Sequence, residues 1–528
     1  MPVASPNVPA PVGEDLPRRR ALAILAGIVV LTLLARLPLL AGDFIAYDDG
    51  IQIFRNPVIK DLTPSNLRET LLTNFRGVAA SPMHTVNMLN WAATPRYAGF
   101  AIVNMAWLAA LTVLFYRFAA LFLDSRAWRL VATAFFTLAS CNADSVAWMS
   151  SRCHFFGVGF VMLAFVLWQA YLDEIHAPRR ALFYALACLA GAAAIWNKSV
   201  FVSVSVLLFV YDLYRQRRLH PLMFLDKLPL LALAVVPLMN PPHVGGVTNL
   251  DHPSMGGSFT ATLLTDAGLL VEYLRALVVP GPGTVANSVY AVSDPLGVSE
   301  GASLLALRLP PVFNMAVLAL VGAGLVLLWR RGLRQPLFAG LFILAALAPM
   351  MNIPPRWVEF AFRFEWLPSL FFSVAVAASA AFFWPRLGRA GRVATAAALG
   401  LLLAWHAGQT FVQSRYWHDP EAYWKACIRN FPDSQICYLK LGIHYADKGL
   451  TRKTLAEYER LDRLNSQLDP KRTFQSAKHL GDLCGHMGDG EKARFYYERS
   501  LLRDELSDTE RTVVKAILAG LKKKGGAK

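Results

Sequence analysis

The sequence predicts an all-α, polytopic membrane helix bundle of about eleven spans, with a smaller tetratricopeptide-like helical domain at its C-terminal end. Three observations predict it. Hydrophobic residues make up 55% of the 528 positions and charged residues only 17%. With a mean hydropathy of +0.39, most of the chain needs lipid around it rather than water. The formal charge of +16 sits in short clusters between apolar runs, a pattern of membrane topology and not of a groove for nucleic acid. After residue 413 the composition turns polar and helix–turn–helix spacings recur. Together these exclude a cytosolic enzyme, a disordered chain and a disulfide-stapled secreted scaffold.

Residues 1–20 read as a cytoplasmic segment ending in Arg18, Arg19 and Arg20. Apolar runs follow at 21–41, 99–123, 129–142, 152–172, 181–196, 199–214, 228–240, 312–329, 336–352, 366–384 and 393–413. The first is long, is interrupted only at its end by Arg36, and lacks a small-residue cleavage site, so it reads as an anchor and not a removable signal. Basic clusters recur in alternate turns: Arg126 and Arg129, Arg179 and Arg180, Arg215 with Arg217 and Arg218, Arg330 with Arg331 and Arg334, Arg386 with Arg389 and Arg392. That places the N-terminus and those turns in the cytoplasm. An odd number of spans across 21–413 then leaves residues 414–528 outside. High use of Ala, Arg and Gly points to a bacterial inner membrane and its periplasm.

Two segments on the outer side are not spans. Residues 42–98 form a long loop with balanced charges, and 241–311 is rich in Gly and Pro. Within the latter, a helix over Thr265 to Val279 would turn Glu272 and Arg275 to water and its leucines to the membrane, as an interfacial helix does. In the C-terminal domain, Leu441-Gly442, Tyr445, Gly449 and Tyr458 are matched by Leu480-Gly481, Gly488, Ala493 and Tyr497, after an insert around Asp469 to Thr473. Ala422 to Asn430 followed by Pro432 reads as half of an earlier, degenerate unit. Such helix pairs bind extended peptide, or cap a neighbouring domain. Two cysteine pairs are placed to form a disulfide, Cys427 with Cys437 and Cys141 with Cys153. There is no CxxC or His-rich metal signature.

The chemistry-bearing residues gather at the outer ends of spans. Phe44-Ile-Ala-Tyr-Asp-Asp-Gly50 puts Asp48 and Asp49 just beyond the first span, where carboxylates are costly unless paired, metal-bound or used. One is suited to general-base work while the other holds an acceptor or a divalent metal. The same Asp-Asp-Gly is also ordinary turn chemistry. Asp144, Arg152 and His154 surround the third turn, Lys198 follows the fifth run, and Arg363 and Glu365 precede the tenth. Singly, each has a plainer role: Asp144 as a helix cap, Arg152 and Lys198 reaching for headgroups, Arg363 pairing with Glu365. Converging at one depth, cations beside two acids suit a phosphate leaving group and a hydroxyl nucleophile.

The stretch Phe44 to Asp49 with Asn56-Pro57, then Asn66-Leu67-Arg68, Asn104, Asp144-Ser-Val-Ala-Trp148 with Arg152, Lys198 with Asp212, Arg363-Phe-Glu-Trp-Leu-Pro-Ser369, and Trp417 through Pro432 leading into the repeats, together resemble the GT-C glycosyltransferases. Within that class the chain is most similar to tetratricopeptide-containing protein O-mannosyltransferases and their bacterial counterparts, along nearly its whole length. The resemblance implies an inverting transfer from a polyprenyl-phosphate-linked sugar to a hydroxyl acceptor on a protein or glycan. It maps the tandem acidic motif onto Asp48 as general base and Asp49 as the group orienting an acceptor or a metal. Arg363 would bind the lipid phosphate, with Arg152 and Lys198 as further phosphate-binding candidates and Asp144, His154 and Glu365 as other site residues. The sequence also departs from that pattern. Ala139-Ser-Cys-Asn142 stands where many relatives have His-Pro-x-His, Asp144 where many have Glu, and His154 where an Asp follows the arginine. Ala80-Ser-Pro82 replaces an aromatic-Arg-Pro run, and Phe362 replaces an acid. These changes bear on sugar identity, metal dependence and the geometry behind the site.

Two other classes compete. A transporter or flippase of lipid-linked sugars wants ionisable groups at mid-membrane and paired broken helices, whereas here the spans are mostly Ala, Leu, Val and Phe. A membrane-anchored scaffold for envelope assembly would tolerate loss of the acid pair.

Overall fold

The computed structural model describes residues 15–45, 48–54, 56–72, 82–215, 221–239, 258–279, 305–353, 360–465, 476–502 and 508–525. Most of the Gly/Pro-rich loop 241–311, the insert at Asp469 to Thr473, and Ala80 with Ser81 lie outside the described residues. Those described are helical with turns between, and no strand occurs among them. They fall into two units, one reaching His418 and one beginning at Asp419.

The first unit contains α1 (Arg18–Leu34), α2 (Pro64–Leu72), α3 (Pro82–Ala93), α4 (Tyr97–Ala119), α5 (Arg126–Leu138), α6 (Ala143–Ala147), α7 (Cys153–Asp173), α8 (Ala177–Asn197), α9 (Val204–Tyr214), α10 (Pro221–Leu225) and α11 (Leu228–Met239). It continues through α12 (Phe259–Val278), α13 (Pro311–Arg330), α14 (Arg334–Leu347), α15 (Trp366–Phe383) and α16 (Arg389–Tyr416). Over their described residues the eleven apolar runs are mostly helical. Among the described residues seven helices are long and apolar enough to cross a membrane by themselves, and an eighth span forms if α5 and the 140–147 segment, bent by 46°, count as one. The 199–214 and 334–350 stretches are shorter apolar helices. Leu320 and Trp329 of α13 and Leu401 of α16 lie on the outside, where water would penalise them and hydrocarbon does not. The chain is a multi-pass membrane protein.

Aromatic side chains fill the centre of the bundle. Phe115 and Phe118 of α4 meet Phe136 of α5 (ring centroids 4.4 Å from Phe115) and Phe371 of α15 (5.8 Å from Phe118). Phe371 stacks in turn on Phe342 of α14 at 4.6 Å. Each ring buries a large area and offers an edge or face to the next, so six helices are tied through one cluster that also takes in Phe165 and Tyr211.

One sequence expectation fails here. α12 does not turn Glu272 to water: the side chain is 1% exposed, bonded to Arg275 and accepting the Ala306 N–H at 3.3 Å. Amphipathic spacing gives a period but not a direction. On this helix the charged stripe faces the turns at 305–308 and 362–365, while Phe259 and Leu263 are among its exposed residues.

In the second unit, α17 (Pro420–Asn430) and α18 (Gln435–Asp447) are joined by the disulfide Cys427–Cys437. The helices α18 and α19 (Thr451–Asn465) form one antiparallel pair, α20 (Ser476–His486) and α21 (Gly490–Leu502) a second, and α22 (Asp508–Gly525) packs after it. The pairs are alike in detail. A methyl group on Gly442 would lie 2.3 Å from Tyr458, and one on Gly481 would lie 2.7 Å from Tyr497, so each glycine makes room for the tyrosine of its partner helix. Gly449 and Gly488 close the two turns at φ 70° and 79°, a conformation glycine adopts without strain.

Candidate active site

Three segments meet at one end of the bundle. The first follows α1. Phe44 packs edge-on against Tyr97 (5.3 Å) and Phe100 (5.6 Å) of α4, and Ile45 is fully buried, which anchors the loop before the acid pair. Asp48 and Asp49 then lead into a single π-helical turn, Gly50–Phe54, with the Asp48 carbonyl accepting the Gln52 N–H at 2.8 Å. Asn56 closes the loop by accepting the Val58 N–H.

The second segment runs from Ser140 to His154, where the apolar run breaks into short helical turns. A broken helix strands backbone carbonyls, and inside a membrane protein side chains must satisfy them. Here Thr410 of α16 donates to the Leu138 carbonyl at 3.0 Å, Asn104 of α4 to Val146 at 2.8 Å, and Tyr97 to Ala147 at 2.7 Å. His406 lies 3.2 Å from the Ser140 hydroxyl, and Asn142 donates to Ser369 of α15 at 3.1 Å. The third segment is the tight turn Phe362–Glu365 before α15.

Asp49 is the junction. It is fully buried, and its Oδ1 accepts both the Ser150 N–H, at 2.9 Å, and the Ser150 hydroxyl. Its Oδ2 has no hydrogen-bond partner. Burial, helped by the neighbouring Asp48, pushes the Asp49 carboxyl up to about 7, against the two Ser150 bonds and the Ile45 backbone N–H that pull it down. Asp48 is half-buried beside it. Arg363 lies over the Trp148 ring at 5.0 Å and the Phe364 ring at 5.3 Å, with its Nη1 buried and unpartnered. Its charge is the cation felt by Asp144, which is buried at the start of α6. His154 tilts against Phe364 at 5.6 Å.

Arg152 is buried completely instead of reaching for a headgroup. Its Nε donates to Asn87 at 2.8 Å, its Nη1 to Asn90 and Asn104 at 3.1 Å each, and its Nη2 to Asn87. Lys198 is exposed at the end of α8, where Cys153 feels its charge. Arg363 and Glu365 form no ion pair: Glu365 is buried with both oxygens unpartnered, and the charges acting on it are Glu272 and Arg275. The structure thus brings Asp49, Asp144, Arg152, His154 and Arg363 around the 140–154 segment and sets Asp48 at its edge; Lys198 stands exposed near Cys153, and Glu365 is buried on the 362–365 turn that packs against Ser140–Asn142. Cys141 and Cys153 are both free, each thiol turned toward its own neighbours, so only the other of the two candidate pairs is bridged.

Among the described residues no three His, Cys, Asp or Glu side chains converge as metal ligands. Among the described residues a divalent cation would find the two adjacent carboxylates and no third donor of that kind, so these residues by themselves do not make a protein-held metal centre.

Sequence reasoning missed Ser150, Asn87 and Asn90. The available signal was Asn87 and Asn90, three apart on one helical face and followed by Asn104, polar amides placed where a membrane helix begins.

No protein-family model matches the chain, and no curated protein matches it in sequence. A similar solved structure is the crystal structure of the Archaeoglobus fulgidus oligosaccharyltransferase tethered, through a disulfide bond, with an acceptor peptide containing the NVT sequon. The two are 13% identical, with a TM-score of 0.44 over 86% of this chain. The match spans 60% of that enzyme's length.

Proposed function

We propose that the protein is an integral-membrane inverting glycosyltransferase of the GT-C type, moving a sugar from a polyprenyl-phosphate donor to a hydroxyl acceptor, most readily one on a protein. The observation that carries this reading is the acid pair itself. Asp49 is locked to Ser150 with one oxygen left open, Asp48 stands beside it, and Arg363 holds an unpartnered guanidinium nitrogen against the same segment.

In this reading Asp48 takes the proton of the acceptor hydroxyl as that oxygen attacks the anomeric carbon. The bond from anomeric carbon to phosphate oxygen breaks, its electron pair leaves with the lipid phosphate, and configuration inverts. Asp49 orients the acceptor through Oδ2. Arg363 neutralises the growing charge on the phosphate, and Lys198, exposed at the same end, attracts the headgroup. One base and one or two cations suffice, since a neutralised phosphate leaves readily.

Residues 21–413 would form the GT-C-like transmembrane domain, with the acid pair at the outer face of a bacterial inner membrane and the N-terminus in the cytoplasm. Residues 414–528 would be a periplasmic tetratricopeptide-like module presenting the acceptor polypeptide. The basic turns and the Cys427–Cys437 disulfide support that orientation, because disulfides persist in oxidising compartments.

The test compares intact masses of envelope proteins and lipid-linked glycans from cells with the gene, without it, and with Asp48→Asn. A hexose- or pentose-sized mass lost in both defective strains supports the transferase and identifies the acceptor class. Loss only on deletion points to a scaffold or another base. Removal of residues 419–528 should spare donor binding and abolish transfer to the natural polypeptide acceptor; surviving transfer would make that unit a cap.

A further inference from the structure

Arg152 presents a physical problem that its nearest partners do not solve. A guanidinium removed from water needs both its donors filled and its charge balanced. Asn87, Asn90 and Asn104 fill the donors with amide oxygens from two helices, but amides are neutral. The oxygens are turned to Arg152 at some expense, since the buried Nδ2 groups of Asn87 and Asn90 are left without partners. Among the described residues no carboxylate forms an ion pair with Arg152; the acidic groups near enough for their charge to act on it are Asp49 and, more weakly, the Cys153 thiol.

Two further connections run between the same residues. Ser150, which holds Asp49 by backbone and hydroxyl, sits two positions before Arg152 on the same turn. The Phe100 ring lies under the guanidinium at 4.8 Å and also packs against Phe44 at the root of the acid loop. The groups facing Asp49 are its neighbour Asp48, Ser150, the Ile45 backbone N–H, Arg152 and the Tyr97 phenol, with Asp43 acting on that phenol in turn. Arg152 is the one cation among them.

We infer that Arg152, clamped by Asn87, Asn90 and Asn104, is a positioning residue that holds the Asp49 loop in place and is not a ligand of the donor phosphate. The inference rests on the reading of Asp49 as a site residue, but the link between the two charges is testable without any transfer assay. Its nitrogens are all engaged inside the protein, and its charge supports the carboxylate from behind.

The experiment is a double-mutant cycle on the full-length protein in detergent, read by thermal unfolding. Measured at about pH 8, where Asp49 has given up its proton, Arg152→Met takes away the cation facing that carboxylate and should lower the melting temperature by roughly 5 °C. Adding Asp49→Asn to that variant should cause little further loss, because the charge interaction is already gone. Independent, additive losses from the two substitutions overturn the inference. Asn87→Ala, which loosens the clamp but keeps the charge, guards against a variant that fails to fold and should shift in the same direction by less.

Where transfer is measurable, Arg152→Met should lower kcat by roughly tenfold or more with the donor KM unchanged, and Arg152→Lys should recover part of it. A raised donor KM at normal kcat makes Arg152 a phosphate ligand and overturns the inference. Coupled unfolding in a protein that transfers nothing keeps the Asp49–Arg152 link and sinks the glycosyltransferase reading instead.

Discussion

Two clusters at opposite ends of the helix bundle both bury charge, and they treat it in opposite ways. At the end bearing the C-terminus of α7 and of α9, Lys227 bonds to Asp212 at 2.5 Å, Asp226 at 2.7 Å and the Met223 carbonyl at 3.0 Å. Trp168 donates to the other Asp212 oxygen at 2.8 Å and lies under the ammonium at 4.5 Å. Every charge in this cluster has an opposite within reach, although Arg334 nearby bonds only to the Leu213 and Tyr214 carbonyls and keeps a buried Nε unpartnered. At the end bearing Asp49, one carboxylate oxygen, both oxygens of Glu365 and a nitrogen of Arg363 are buried without partners. Unmade hydrogen bonds of that kind are expensive, and a fold that closes one cluster completely has no general difficulty in closing another. The open end therefore has the character of a place that something else completes.

Substitutions can break or sharpen that contrast. The largest effect is expected at the open end: Asp48→Asn should reduce transfer roughly 10²–10⁴-fold per folded molecule while leaving the melting temperature near that of the wild type. A scaffold would show no change in envelope glycosylation. Next in size is the closed end. Lys227→Met strands two carboxylates and should destabilise by about 3–5 kcal/mol in denaturant unfolding, with turnover of the surviving folded protein unaltered. A loss of turnover there would erase the distinction between the two clusters. Arg363→Met comes third, raising the KM for a polyprenyl-phosphate donor roughly 10–100-fold, the scale of a hydrogen bond to a charged group.

The smallest effect concerns pH. The Asp49 carboxyl is pushed from 3.8 up to about 7 by burial, so the folded state holds its proton more tightly than the unfolded chain. Its contribution to stability is fully present below about 4 and is lost as pH rises through about 7. Unfolding midpoints measured across that window should decline in the wild type, and Asp49→Asn should flatten the decline.

How much of this was legible beforehand varied with the kind of interaction. Helices were legible because apolar runs between charged turns have one outcome in lipid. The acid pair stood out because carboxylates beside hydrocarbon are conspicuous. Ser150 did not, since a serine acquires its role only when Asp49, 101 positions away, arrives beside it. Arg152 was conspicuous for the same reason as the acids, but whether it faces headgroup, phosphate or protein depends on Asn87 and Asn90, which no local spacing connects to it. Glu272 shows the converse limit. A charge on an amphipathic helix was assigned to water, and the turn at 305–308 supplied a backbone N–H that made burial tolerable.

The last span, α16, ends in a way that reaches back to the beginning of the chain. His406 and Thr410 brace the broken segment around 138–140, and a few residues later the Trp417 carbonyl accepts the Asp43 N–H at 2.9 Å while His418 meets the Ala41 carbonyl. One rigid helix thus touches both strips of chain from which the acid pair and Ser150 project. It serves as a ruler between them. Each residue of a helix adds 1.5 Å and about 100°, so inserting a single alanine between Thr410 and Trp417 would throw one anchor round the helix from the other, although every named side chain remained.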